Sequence, residues 1–82
     1  MLTTGNQLKA ARALVSMEQI ALAERAKVNV GTIRKMEAKG RDRLTSGLDT
    51  IHAVQVALEQ EGVEFLNHGS PGVRLKKREA SA

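Results

Sequence analysis

The sequence predicts a mainly α fold of four helices followed by a C-terminal β-hairpin. Three observations predict it. Apolar residues recur at helical spacing over much of residues 5–60, as in Leu48, Ile51, Val54 and Leu58. Helix-starting and helix-stopping residues punctuate that pattern, among them Asn29, Ser46, Gly40 and Gly62. Beyond Gly62 the period changes, and two short alternating stretches flank the turn cluster NHGSPG.

The first helix covers residues 5–15, GNQLKAARALV. Leu8, Ala11 and Val15 fall on one face, joined by Leu14, and the alanine content favours a helix. Thr4 or Asn6 caps it. Residues 18–26, EQIALAERA, form a second short helix with Leu22, Ala23 and Ala26 inside. The tripeptide KVN has no helical pattern and leads into a third helix over 30–38, capped by Asn29, with Ile33 and Met36 inward and Val28 behind them. Gly40 stops that helix within the polar loop AKGRDRLTSG.

Ser46 followed by Asp49 resembles a capping box for a fourth helix over roughly 47–60, whose core stripe is Leu48, Ile51, Val54 and Leu58. VEFL and VRLK read as strands near 63–66 and 73–76. A two-stranded hairpin is marginal alone, so it must pack on the helices or pair with another chain. The expected organisation is a helical domain over 1–62, a hairpin over 63–76 as a candidate dimerisation element, and a flexible basic tail over 77–82.

Eighty-two residues make one domain at most. The formal net charge is +4 and the pI about 10.0, a modest bias toward an anionic partner. The charge is uneven. Residues 1–43 carry nine Lys/Arg against four Asp/Glu, residues 44–66 carry four acids and no Lys/Arg, and residues 67–82 return to a net of +3. The basic surface therefore belongs to the first half and the tail, which fits an electrostatic footprint for phosphates. The chain has no cysteine, so it has no disulfide framework, and a reducing, cytoplasmic setting is expected. No apolar run is long enough to span a membrane. One Phe with no Trp or Tyr argues against a stacking platform for single strands. His52 and His68 each stand without a second ligand at helical spacing, so neither metal nor cofactor is expected. No Ser-His-Asp arrangement or phosphate-cradling glycine loop is present, which argues against an enzyme; HGSPG reads as a turn.

The second helix, its short turn and the third helix have the spacing of a DNA-binding helix-turn-helix. Residues 8–37, LKAARALVSMEQIALAERAKVNVGTIRKME, resemble the phage Cro and lambda-repressor group of helix-turn-helix proteins, the XRE family. The resemblance is ungapped and includes the Leu8-to-Arg12 spacing, Gln19, the Leu22-Ala23 pair, Ala26, Val28, the Thr32-Ile33 pair and Glu37; with the fourth helix it covers about residues 3–62. The hairpin resembles a tail on some short bacterial members. The resemblance implies a lambda-repressor-like domain that binds double-stranded DNA as a homodimer. It implies that Gln19 touches a phosphate and braces the reading helix, and that Asn29 caps that helix and donates to a phosphate. It places Val30, Gly31, Arg34 and Lys35 toward the groove and Thr32 at a backbone or base contact. It pairs Arg12 with Glu37 in a buried ion pair tying the first helix to the third.

The chemistry of these residues can be weighed independently. On a helix in the major groove the first turns reach base edges. Val30 offers methyl groups, which suit the thymine methyl. Gly31 offers no side chain; either it allows close backbone approach or it is drift in a marginal helix. Lys35 suits guanine O6 and N7, while Arg34 suits either a base or a phosphate. Lys39, Arg41 and Arg43 follow the helix and read as a phosphate clamp. Two residues depart from the family pattern. Glu18 stands where Ser or Thr usually caps the second helix, and Lys27 stands where the turn usually has Gly; Lys27 adds charge toward DNA at the cost of a positive φ on a non-glycine residue. The competing reading is a protein-binding module, an antitoxin half or small anti-regulator, using the hairpin edge to accept a partner strand.

Overall fold

The structure, a computed structural model, describes residues 1–67 and 69–76. His68 and the tail over 77–82 lie outside the described residues. Four helices are followed by an antiparallel two-stranded hairpin: α1 (Gly5–Leu14), α2 (Gln19–Ala26), α3 (Val30–Ala38), α4 (Leu48–Glu59), β1 (Val63–Leu66) and β2 (Gly72–Leu75). Among the described residues no helix is long and apolar enough to cross a membrane.

Of the two candidate caps for α1, Thr4 takes the role. Its hydroxyl accepts from Gln7 N at 3.1 Å, and Gln7 Oε1 accepts in return from Thr4 N at 3.1 Å, a reciprocal capping box. The next two helix boundaries repeat one device. After α1, Ser16 takes a left-handed conformation (φ 53°), Met17 N donates to Arg12 O at 3.0 Å and Ser16 N to Ala13 O at 3.2 Å. After α2, Lys27 does the same (φ 59°), with Val28 N on Ala23 O at 3.0 Å and Lys27 N on Glu24 O at 3.2 Å. Both are Schellman closures, and Met17 and Val28, the residues just past them, pack against the core. After α3 the left-handed position goes to Gly40 (φ 58°), as its place in the sequence implies.

The core gathers Leu8 and Ala11 of α1, Leu22, Ala23 and Ala26 of α2, Ile33 and Met36 of α3, Ile51, Val54, Ala57 and Leu58 of α4, and Val63 of β1. Leu2, ahead of α1, is also fully buried, a contribution no periodicity reveals.

Four expectations need correction. Ser46 and Asp49 form no capping box: Gly47 is the N-cap of α4 and no side chain bonds there. Ser46 lies one residue too early to reach the first-turn amides. Leu48 is not in the core stripe but 75 % exposed, because the first turn of α4, with Gly47 and Asp49 also exposed, projects past the packed helices. Leu14 lies to one side of the Leu8–Ala11 stripe and is 41 % exposed. The second strand runs one residue earlier than 73–76, since the register pairs Val63 with Leu75 and Phe65 with Val73. Lys76 then falls beyond the ladder, where its N–H donates to Gly62 O at 2.6 Å.

The hairpin packs on the helices, chiefly on α1 and also on α4. Val63 is buried and Phe65 and Val73 lie on the core, while Glu64 and Arg74 pair on the opposite face at 2.5 Å. The polar anchor is Gln7, which is buried. Its Nε2 donates to Leu66 O at 3.2 Å and Gly72 O at 3.1 Å, while its Oε1 accepts from Thr3 and Thr4. One carboxamide thus caps α1 and holds both strands.

Candidate nucleic-acid interface

The α2–α3 pair is joined by Lys27, Val28 and Asn29, and the Schellman closure at Lys27 sets the angle at which α3 leaves. Asn29 starts α3: its Oδ1 accepts from Gly31 N at 2.7 Å, which leaves the amide NH2 of this exposed side chain as a donor. A Cβ at Gly31 would lie 3.0 Å from the capping Asn29 Oδ1, so a side chain there requires that oxygen to give by a few tenths of an ångström.

Around α3 the inward positions are Ile33, Met36 and Glu37. Gly31, Arg34, Lys35 and Ala38 fall on the opposite side at spacings of three, four and seven residues. Arg34 and Lys35 are exposed, Gly31 and Thr32 are half-buried, and Val30 is half-buried with part of its surface against the core. Of the four groove-facing candidates, Arg34 and Lys35 are therefore the two with exposed side chains.

Glu37 is the buried end of a network that fixes α3. Arg12 Nε lies 2.5 Å from Glu37 Oε2 and Arg12 Nη2 2.9 Å from Oε1, a two-pronged ion pair in which the Glu37 side chain is 4 % exposed and that of Arg12 19 %. Arg12 Nη1 also donates to Met17 O at 2.9 Å, in the α1–α2 turn. Gln19 Nε2 donates to Glu37 Oε1 at 3.1 Å. Three helices thus meet on one carboxylate. Hydrogen bonding to Glu37 holds the Arg12 guanidinium above its ordinary pKa; the partial burial of Arg12 opposes this and the Glu37 charge adds to it. Among the described residues no buried side-chain nitrogen or oxygen lacks a partner.

The cations expected to clamp phosphates do not form one group. Lys39 shares a shallow groove with Lys35, Thr45 and Ser46. Arg41 lines a different depression, between the start of α1 and Pro71–Val73 of the hairpin. Arg43 is exposed on a loop held by a backbone bridge to Thr4, with Leu44 N on Thr3 O at 2.8 Å. Lys27 is exposed at the turn. Arg34 instead faces a cleft that also holds Lys9 of α1 and Glu18 and Gln19 at the start of α2. Lys9 was not among the sequence candidates, because nothing local in α1 marks it; its neighbours come from α2 and α3. Glu18 makes no side-chain capping bond, as its identity implies.

Compared with protein-family models and with curated proteins, the chain matches none.

Proposed function

We propose that this chain is a sequence-specific, double-stranded DNA-binding transcriptional regulator of the lambda-repressor-like helix-turn-helix type, acting as a homodimer on an inverted repeat. One observation carries the reading: α3 presents Gly31, Arg34 and Lys35 outward while its inner side is locked through Glu37 to Arg12 and Gln19. A helix that must enter a groove benefits from a slim outer face and a fixed axis. In this reading Lys35 donates to a guanine edge and the exposed part of Val30 meets a thymine methyl. The Asn29 amide, Gln19, Thr32 and the cations Lys27, Lys39, Arg41 and Arg43 contact the backbone. Two such surfaces, one per subunit, supply the affinity that a narrow reader lacks alone.

Selection from random duplexes with the purified protein tests this. Enrichment of an inverted repeat is expected, with affinity falling roughly a thousandfold between about 50 and 200 mM salt if about six phosphates are contacted. Enrichment of no duplex, together with salt-insensitive capture of a protein, would overturn the reading in favour of a protein-binding module.

A further inference from the structure

We propose that Lys9 and Arg34 together seat one DNA backbone phosphate in the cleft where α1, α2 and α3 converge, so that Arg34 binds backbone and not a base. The inference rests on the DNA-binding reading above. Arg34 and Lys35 are adjacent in sequence, but the fold sends them to opposite sides of the outer ridge of α3. Arg34 lines the cleft with Lys9, Glu18 and Gln19, whereas Lys35 lines the groove with Lys39, Thr45 and Ser46.

The floor of the Arg34 cleft is the Arg12–Glu37 pair, whose charges satisfy each other, with Gln19 bonded to the same carboxylate. The floor therefore carries little net charge. At the mouth, Lys9 and Arg34 are exposed, and among the described residues neither forms an ion pair. Two cations from different helices around a neutral polar floor suit a single anionic oxygen cluster. A base edge suits the site poorly, since the N-terminal end of α2 and α1 flank Arg34 on that side. Glu18 is the one acidic residue at the mouth, and its carboxylate opposes the phosphate.

The test uses the full chain and three variants, Lys9→Gln, Arg34→Gln and Glu18→Gln, on the selected duplex and on unrelated duplexes. Lys9→Gln and Arg34→Gln are expected to weaken binding to all duplexes by the same factor and to leave base preference unchanged. Each deficit should shrink with salt, by at most about threefold between about 50 and 200 mM, because the one phosphate they share contributes about −0.9 to the log–log salt slope. Glu18→Gln should tighten binding to all duplexes alike, a gain that a misfolded variant cannot produce. On duplexes carrying single neutral methylphosphonates, one position should abolish the effects of all three substitutions together. Lost preference at one base position in Arg34→Gln, an unchanged salt slope in Lys9→Gln, or the lack of a shared phosphate would overturn the seat while leaving DNA binding intact. A wild-type protein that binds no duplex would overturn both.

Discussion

Arg12 grips the Glu37 carboxylate with two nitrogens, at 2.5 and 2.9 Å, and the two residues differ in burial: the carboxylate is almost wholly enclosed and the guanidinium keeps an outlet to solvent. That asymmetry sets the order of mutational damage. Arg12→Ala strands Glu37 in the interior with only Gln19 to answer it, and the expected loss is about 3–5 kcal/mol. Glu37→Ala leaves Arg12 able to turn toward water and should cost less. Urea unfolding of the two variants checks the order; equal losses would contradict it.

Gln7 joins two jobs that substitution can separate. Gln7→Glu keeps the acceptor toward Thr3 and Thr4 but removes the donor to Leu66 and Gly72 and turns a carboxylate toward their carbonyl oxygens, an expected loss of about 1–3 kcal/mol. Amide exchange should accelerate in β1 and β2 well before it does in α2 and α3. Uniform acceleration across the chain would mean that the hairpin and helices unfold as one unit.

Gly5 seats the start of α1 on the end of α3. A Cβ there would overlap the Met36 carbonyl and lie 2.7 Å from Gly40 N and 2.9 Å from Glu37 O, all of it backbone that cannot swing aside. Asn6 N donates to Gly40 O at 2.8 Å across the same junction. Gly5→Ala should therefore destabilise by about 1–3 kcal/mol, although alanine alone would favour the helix by about 1 kcal/mol. A thermal melt showing a gain would remove the close-contact account.

Lys27 holds a left-handed conformation with a side chain that favours other regions. Lys27→Gly should raise stability by about 1 kcal/mol. The same change should lower affinity for every duplex by removing a charge. Opposite signs in calorimetry and in a binding titration are the expected pair of results, and a loss in both would show that the turn needs the lysine stem for packing.

Lys35 is the cation assigned to a base. Lys35→Ala should relax preference at one symmetric position in each half-site, with about 1–3 kcal/mol of discrimination lost there. A fall in overall affinity with the selected sequence unchanged would move Lys35 to the backbone, alongside Arg34.

The local features of the fold were legible because they depend on neighbours within a turn or two. The span 30–38 of α3, the Asn29 cap and the stop at Gly40 all follow from residue chemistry at fixed short spacing, whereas the strain at Lys27 came from the family resemblance, in which that turn position is usually Gly. The Arg12–Glu37 pair, twenty-five residues apart, came from family resemblance and not from any pattern in the residues themselves.

What only the tertiary structure decided is long-range. A glycine pressed on a distant backbone reads in sequence like any glycine before a helix, as Gly5 does. Gln7 looks like a surface residue until Leu66 and Gly72 are brought over it. Leu48 continues an apolar stripe, yet the helix runs past the core before the stripe can be used. The division of Arg34 and Lys35 between two grooves depends on where α1 and the 39–46 loop pack, and one-dimensional spacing carries no record of that packing. Sequence alone set the four helices and the Asn29 cap of α3, since those arise from bonds within one turn, but it left the α1 cap open between Thr4 and Asn6 and placed the α4 cap one residue early; packing decided which side chains face water, because burial is a property of neighbours far along the chain.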